Sequence, residues 1–201
     1  MNPNRLAFLA IATALVMTSP AFASLLVNGS FEPSGPAPSY LQLSGGDSSI
    51  PGWVTTDSGV EWYDPVANGG SPAPEGRYVV DLANYVYSAG GIQQTMATIP
   101  GQAYAVTFWL STQQTGGRDG TAIVDVSAGP TTAQYAIVNH TAVSQWTLRS
   151  FEFTANSAST TLWFRCLQDA NLHFAELDAV GMEPATPSAP DTWGRLKARY
   201  R

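Results

Sequence analysis

Alternation of apolar and polar residues with a period of two is the feature that most constrains how this chain can fold. It is clearest before Ser111, where Tyr104, Val106, Phe108 and Leu110 fall on one face of an extended strand that we expect to face the core. Similar runs occupy residues 77–82, 91–96, 121–127, 134–138, 146–153, 160–166 and 172–180. Pro-Gly and Gly-Pro turn signals separate them, and helical patterns are almost absent before the C-terminal tail. Many short strands at this spacing predict one all-β domain, an antiparallel β-sandwich.

One of these runs changes phase part-way along. Its large apolar residues shift from Trp146 and Leu148 to Phe151 and Phe153. A β-bulge inserts one extra residue into a strand and thereby restores the alternation. We therefore expect a bulge near Arg149-Ser150.

The first 23 residues have the layout of a secretory signal peptide. Arg5 lies in a short N-terminal region, an apolar run extends from Leu6 to Met17, and Ala21-Phe22-Ala23 gives the small-residue cleavage pattern. The apolar run is shorter than the roughly 20 residues that span a bilayer. We therefore expect cleavage after Ala23, a mature chain without a transmembrane anchor, and a secreted or periplasmic location.

Charge is spread unevenly along the chain. Of the 15 acidic residues, all but Asp191 precede residue 184, and only four arginines oppose them between residues 24 and 183. Nucleic-acid binding draws most of its affinity from basic groups that contact phosphates, so this acidic body argues against a nucleic-acid partner. Only 12% of all residues are charged and 44% are hydrophobic, which leaves ample apolar material for a core.

The β-sandwich is expected to occupy residues 24–182, followed by a Pro-rich linker and a short basic tail over residues 183–201. Residues 33–39 and 67–75 are rich in Pro, Gly, Ser and Ala and are expected to form long surface loops. In the tail, Trp193, Leu196 and Tyr200 recur at spacings of three and four, which favours one face of a short helix. Two interpretations of the tail stay open: a segment that docks on an acidic envelope surface, or a frayed, solubilising end.

Cys166 is the only cysteine, so the chain cannot form an intramolecular disulfide. It ends an apolar run, which favours a buried and unreactive thiol over a reactive or pairing one. His140 and His173 have no histidine or cysteine partner at a metal-ligand spacing, which argues against a zinc site.

Several short motifs follow one another along the body of the chain. They are Leu26 to Glu32, Ile50 to Val54, Gly59 to Trp62, Val80 to Leu82, Gly91 to Thr95, Pro100 to Tyr104, and Leu177 to Val180. Their order resembles the bacterial choice-of-anchor C proteins and the related DUF642 family of the galactose-binding-like superfamily. The resemblance implies a jelly-roll sandwich in which Leu26 to Glu32 is the first strand. The paired cysteines of plant members and the hydrophobic sorting helix of anchored bacterial members have no counterpart in this sequence.

The resemblance also implies a structural calcium ion. Galactose-binding-like modules often hold calcium between their first and last strands, and the candidate ligands here are Glu32 and Asp178. Calcium prefers about six to eight oxygen ligands. In the alternative interpretation, each of these carboxylates caps a turn or pairs with an arginine.

Aromatic rings provide a second kind of candidate site, because exposed rings stack on the apolar faces of sugars. The candidates are Trp62, Tyr63, Tyr85, Tyr87 and Trp109. The first two precede a long loop, the next two lie in a turn-like stretch, and Trp109 is opposite in phase to the core residues of its strand. Packing in the core or under a loop is the alternative for each single ring.

Together these features predict an exported, non-catalytic β-sandwich that binds cell-wall or extracellular polysaccharide. An alternative is a structural protein of the extracellular matrix or envelope that acts through protein contacts. A glycoside hydrolase needs two carboxylates at a set separation. Glu61, Asp64, Glu75 and Asp81 are the acids available for that role, but the sequence sets no such separation, so we expect no enzyme activity.

Overall fold

The computed structural model describes residues 24–83 and 89–185, in which all regular structure is β-strand. Two antiparallel sheets confirm the predicted all-β sandwich. The six-stranded sheet contains, in spatial order, β1 (Tyr40–Leu43), β3 (Val60–Tyr63), β4 (Val79–Asp81), β11 (Glu176–Pro184), β6 (Ala103–Ser111) and β9 (Thr147–Thr154). The five-stranded sheet contains β2 (Val54–Asp57), β5 (Gly90–Ala97), β10 (Ser159–Cys166), β7 (Thr121–Ala128) and β8 (Thr131–Val138). The described residues form no helix with the length and hydropathy needed to cross a bilayer.

The core lies between the two sheets and follows the alternation of the sequence. Tyr104, Val106, Phe108 and Leu110 are all buried, as the pattern of β6 predicts. Phe108 meets Phe164 of the opposite sheet edge-on, with ring centroids 5.0 Å apart. Burial of each such large apolar side chain contributes about 1.5–3 kcal/mol to folding.

The segment Leu26 to Glu32 is not the strand that the family resemblance implied. Asn28 and Phe31 have positive φ angles of 52° and 55°, which break an extended conformation. The Asn28 side chain favours this turn because its Oδ1 accepts a hydrogen bond from the backbone N–H of Glu32 at 2.8 Å. The segment still closes the sandwich, since the Val180 N–H donates to the carbonyl of Gly29 at 2.9 Å.

The predicted bulge near Arg149-Ser150 is also wrong. The pairing of β6 with β9 runs without interruption, and Phe151 and Phe153 are buried while Leu148 is 52% exposed. An isolated exposed leucine is ordinary on a protein surface, so no bulge is needed to bury it. The irregular register lies instead in β11, between Asp178 and Gly181.

Strand β11 also differs from its predicted bounds at both ends. Residues 172–175 precede it as irregular chain, because the strand begins at Glu176. It continues to Pro184, two residues beyond the expected end of the domain, and Glu183 and Pro184 still pair with β6. The predicted signal peptide and most of the linker and tail lie outside the described residues.

The predicted burial of Cys166 is confirmed. Its side chain is fully buried at the end of β10. Burial raises the pKa of this thiol to about 11, so the reactive thiolate is scarce at neutral pH.

The phase of β9 can be tested by truncating residues on its two faces. Phe151→Ala is expected to lower the free energy of unfolding by about 3–5 kcal/mol, because it leaves a cavity in the core. Leu148→Ala is expected to cost less than about 1 kcal/mol, since Leu148 is half exposed. Urea unfolding of both variants measures the difference, and comparable losses would indicate that the strand contains the bulge after all.

Candidate functional site

The outer face of the six-stranded sheet carries a row of acidic side chains. Glu61 of β3, Asp81 of β4 and Glu176 of β11 are register partners on neighbouring strands. Side chains in register emerge on the same face of a sheet. All three are buried, although they lie on the side of the sheet opposite the core. We refer to Glu61, Asp81 and Glu176 as the carboxylate row.

Two members of the carboxylate row have oxygen atoms without a hydrogen-bond donor. Asp81 Oδ1 accepts from the backbone N–H groups of Ala83 and Ala175, at 2.9 and 2.8 Å, but its Oδ2 has no partner. In Glu176 the unpartnered oxygen is Oε2. Burial, reinforced by the negative charge of Glu61, raises the pKa of Asp81 well above its usual range.

A pocket is lined in part by the two residues that bind Glu176. Glu176 Oε1 accepts hydrogen bonds from the hydroxyl of Tyr63 at 2.7 Å and from the side-chain amide of Gln113 at 2.8 Å. Tyr63 and Gln113 also line a cavity of about 170 Å³. The full lining is Tyr63, Pro65, Asn68, Gly69, Gly70, Gln113, Thr115 and Ala142. We call this cavity the Tyr63 pocket, and the side chains of Tyr63 and Gln113 connect its lining to the buried carboxylate.

The loop after β3 forms one wall of the Tyr63 pocket and is fixed by its own polar residues. Asn68 donates from its side chain to the carbonyls of Ser39 and Asp64, both at 2.9 Å. The Asp64 carboxylate caps the turn through the N–H of Ala67 and forms an ion pair with the guanidinium of Arg77. These contacts hold the pocket wall in place without a ligand, which lowers the entropic cost of binding.

Of the three predicted aromatic residues in the described part of the chain, only Tyr63 lines the pocket. Its neighbour Trp62 is a core residue, 3% exposed, whose indole N–H donates to the carbonyl of Phe31 at 2.8 Å. Trp109 is half-buried on the outer face, in register with Asp178. Tyr85 and Tyr87 lie outside the described residues. The buried ring of Trp62 therefore offers no face to a sugar in this structure.

The two predicted calcium ligands converge on one loop. Asp178 Oδ2 accepts from the backbone N–H of Glu75 at 2.9 Å, and Glu32 Oε1 accepts from the N–H groups of Arg77 and Tyr78 at 2.6 and 2.8 Å. Glu32 thus caps this loop, as the alternative interpretation held. Burial raises the pKa of Asp178 to about 7, with smaller contributions from the charges of Glu75 and Glu32.

Whether a cation fits at this position depends on the oxygen atoms left over. Asp178 Oδ1 is buried and has no hydrogen-bond partner, and the carboxylate of Glu32 is close enough to raise its pKa. However, in residues 24–83 and 89–185 no group of three or more His, Cys, Asp or Glu side chains is arranged to hold a metal. A calcium ion would therefore have two acidic ligands and would take its others from backbone carbonyls or water.

Sequence reasoning missed a polar and aromatic cluster on the other sheet. Arg165 forms an ion pair with Asp57 at 2.6 Å and lies 4.2 Å above the ring of Trp163. The indole N–H of Trp163 donates to the Thr56 hydroxyl at 2.8 Å. Gly91 leaves room for these contacts, because a Cβ there would lie 2.3 Å from Thr56 Oγ1. The alternation within β10 was the available signal, since its core residues leave Trp163 and Arg165 on the outer face.

Comparison with known proteins identifies the family. A family model described as "Protein of unknown function (DUF642)" matches residues 24–179. The chain belongs to the DUF642 family. No curated protein sequence gives a significant match to it.

Solved structures are similar to this DUF642 domain in fold. The K1 cleaved adhesin domain of Lys-gingipain from Porphyromonas gingivalis W83 has a TM-score of 0.52 at 14% identity, covering 73% of this chain and 99% of that one. A family 35 carbohydrate-binding module from Clostridium thermocellum has a TM-score of 0.45 at 12% identity, covering 74% and 100%. TmCBM61 in complex with β-1,4-galactotriose has a TM-score of 0.42 at 19% identity, covering 66% and 88%. At these identities the similarity concerns the fold alone.

The buried Asp178 is expected to give this DUF642 domain a specific pH dependence. Its folded-state pKa lies above the ordinary value of 3.8, so the folded state binds the proton more tightly than the unfolded state. In the presence of a chelator, this carboxylate is expected to lower stability as the pH rises from about 4 to 7, by on the order of 2–4 kcal/mol. Asp178→Asn is expected to remove that part of the slope, and thermal melts between these pH values measure it. Glu152→Gln, at an exposed position of β9, is the matched control, and identical slopes for both variants would contradict the assignment.

Proposed function

We propose that this chain is an exported, non-catalytic β-sandwich that binds polysaccharide through the Tyr63 pocket. The observation that carries the proposal is the pair of fixed polar groups in the pocket, the Tyr63 hydroxyl and the Gln113 amide, both held by the buried Glu176. Sugar rings present hydroxyl groups on their edges and apolar C–H groups on their faces. A concave site with a few oriented polar groups among apolar walls suits such a ligand.

The pocket lining offers both kinds of contact. Pro65 and Ala142 supply apolar surface, while Asn68 and Thr115 supply polar side chains beside the Tyr63–Gln113 pair. The pocket belongs to loops at one end of the sheet, where binding residues are concentrated in rigid β-scaffolds. Because their protons are directed to Glu176, the Tyr63 hydroxyl oxygen and the Gln113 side-chain carbonyl are oriented acceptors, which can bind sugar hydroxyl groups without a further loss of side-chain freedom.

The positions of the acidic residues support a non-catalytic role. A glycosidase needs one acid and one base on either side of the scissile bond, with access for substrate and water. Glu61 and Asp81 lie side by side and are buried, and Asp64 is paired with Arg77. None of these three acids has the exposed, opposed placement that hydrolysis requires, and the fourth candidate, Glu75, is an exposed loop residue.

Export is proposed from residues 1–23 and from the extent of the family match. The family model begins at residue 24, directly after the expected cleavage position. A secreted or periplasmic location would place the pocket where cell-wall and extracellular polysaccharides occur. The basic tail lies outside the described residues. In this proposal it docks the domain on the envelope.

A structural calcium ion at Glu32 and Asp178 is the second element of this proposal. The buried, unpartnered Asp178 Oδ1 supports it, because a cation would compensate a carboxylate that the fold leaves without a donor. When bound, the ion would join the loop at residues 75–78 to β11. Its role is to stabilise the fold and not to take part in a reaction.

Removal of single polar groups from the pocket is expected to weaken glycan binding. Tyr63→Phe keeps the ring but removes the hydroxyl, and Gln113→Ala removes the amide, so each should weaken binding about tenfold. Affinity electrophoresis against a panel of soluble polysaccharides, followed by calorimetry on the best ligand, measures the loss. Tyr135→Phe on β8 is the matched control, because it also removes a hydroxyl that donates a hydrogen bond, in this case to the carbonyl of Ser150, but lies on the other sheet.

Two outcomes would count against this assignment in different ways. Absence of wild-type binding to every polysaccharide would contradict the proposed function and favour a structural protein that acts through protein contacts. Wild-type binding that Tyr63→Phe and Gln113→Ala leave unchanged would move the site elsewhere on the domain.

Calcium is expected to raise the melting temperature of the wild-type chain. At a calcium concentration about 100 times the dissociation constant, stability should rise by about 2.7 kcal/mol through mass action. For a domain of this size that corresponds to roughly 5–10 °C. Asp178→Asn should melt at the same temperature with calcium and with chelator. An unchanged wild-type melt after verified removal of metal would exclude the ion.

A further inference from the structure

Strand β8 forms one edge of the five-stranded sheet and lacks the usual protection of an edge. It is last in the strand order, and within residues 24–83 and 89–185 only β7 pairs with it. An edge strand presents unpaired N–H and C=O groups, and proteins commonly protect them with charged residues, proline or a very short strand. β8 is 8 residues long and contains no charged residue, proline or glycine.

The other three edge strands of the described sheets are protected. β1 and β2 have 4 residues each, and β2 ends at Asp57, which is paired with Arg165. β9 is as long as β8 but contains Arg149 and Glu152. Among the described strands, β8 is therefore the only long edge without a charge.

The pairing with β7 determines which backbone groups of β8 point away from the sheet. In an antiparallel pair, residues that exchange N–H···O bonds with the partner alternate with residues whose groups point outward. The Asn139 N–H donates to the carbonyl of Gly120 at 2.7 Å just beyond the strand ends, so the odd-numbered residues of β8 bond to β7. Ile123 of β7 agrees, because its N–H donates to the Gln168 side chain on the side away from β8. The outward backbone groups of β8 belong to Thr132, Gln134, Ala136 and Val138.

The outward row of β8 has little competition from the rest of the domain. The Arg149 guanidinium donates to the Ala136 carbonyl at 3.5 Å, which is longer than the usual range of about 2.7–3.2 Å. At the end of the row, the side chain of Val138 is 63% exposed. A strand added at this edge would therefore displace a weak contact and cover an exposed apolar residue.

We propose that β8 pairs in antiparallel orientation with β8 of a second copy of this chain, which joins two five-stranded sheets into one. This inference goes beyond glycan binding and does not depend on it. In a two-fold pairing centred on Tyr135, Thr132 bonds to Val138 of the copy and Gln134 bonds to Ala136 of the copy. Every outward residue then meets an outward residue. Such an interface uses the same surface on both copies, so the assembly closes at two chains.

The distribution of charge favours a second copy at this edge. The chain has a formal net charge of −6 at pH 7, so contacts between its acidic surfaces are repulsive. Pairing through β8 avoids this repulsion, because every residue that meets across the two-fold axis is uncharged. On the neighbouring strand, Asp125 already accepts a hydrogen bond from the Gln134 side chain at 2.7 Å.

Sedimentation equilibrium of the chain purified from an exporting host tests the proposal. We expect the mean mass to rise from one chain toward two as the concentration increases. Ala136→Pro removes an outward N–H that β7 does not use, and edge strands tolerate proline at such positions. It should weaken association at least about tenfold, because each copy loses a hydrogen bond and the ring obstructs the partner strand.

A matched control lies on the other long edge. Ser150 of β9 also has outward backbone groups, since its carbonyl accepts from the Tyr135 hydroxyl in the other sheet. Ser150→Pro keeps that carbonyl and should leave the association constant unchanged. Should Ala136→Pro fail to fold, Ala136→Lys keeps the backbone N–H, places a charge at the edge, and should also weaken association.

Amide hydrogen exchange locates the interface within the strand. In the single chain, the N–H groups of Gln134 and Ala136 face solvent, whereas those of Ala133 and Tyr135 bond to β7. Raising the protein concentration should slow exchange at Gln134 and Ala136 by at least about tenfold and leave Ala133 and Tyr135 unchanged.

Three outcomes would overturn the inference. The first is a chain that stays monomeric at every concentration. The second is a dimer that Ala136→Pro and Ala136→Lys leave unchanged, which would place the contact on another surface. The third is protection of Gln134 and Ala136 that does not vary with concentration, which would mean that another segment of the same chain covers the edge. None of these results bears on glycan binding at Tyr63, so the proposed function is tested separately.

Discussion

The register of β3, β4, β11 and β6 in the six-stranded sheet determines which side chains face the core and which face the candidate site. One row of partners, Trp62, Val80, Leu177 and Leu110, faces the core, and the adjacent row, Glu61, Asp81, Glu176 and Ser111, faces outward. A slip of one residue would exchange the two rows and place three carboxylates in the apolar interior. The cost of that exchange fixes the register, and the register in turn brings together acids that are far apart in sequence.

The outward row is unusual because its acids are buried. Tyr63 and Gln113, which follows β6, contact Glu176, whereas an open antiparallel sheet would leave such carboxylates in water. Burial weakens screening by solvent and raises the pKa of Asp81. Loops that would otherwise only connect strands therefore create the environment in which a few polar groups can act strongly on a ligand.

Local patterns in the sequence predicted those parts of the fold that depend on local geometry. The alternation before Ser111 identified β6 and its core face, and the apolar run before Cys166 identified its burial. The same reasoning failed at Leu148, where it predicted a bulge, because the local sequence does not distinguish an exposed leucine from a buried one. The carboxylate row could not be predicted, since Glu61 and Glu176 meet only through the pairing order of β3, β4 and β11. From the sequence, both Trp62 and Tyr63 are candidate sugar-binding rings. Because neighbouring residues of a strand face opposite sides of the sheet, Trp62 faces the core and only Tyr63 faces the pocket.

The acids on the outer face also differ in what holds them, and this difference identifies where a ligand can act. Asp81 and Asp178 each bind backbone N–H groups, which cannot turn away without unfolding a loop. Glu176 is held instead by the side chains of Tyr63 and Gln113, which also line the pocket. A molecule in the pocket would therefore contact the two groups that hold Glu176, whereas the backbone N–H groups that hold Asp81 and Asp178 belong to residues outside the pocket lining. On physical grounds the Tyr63 pocket is the part of this sheet where a bound molecule can act on the surroundings of a buried carboxylate.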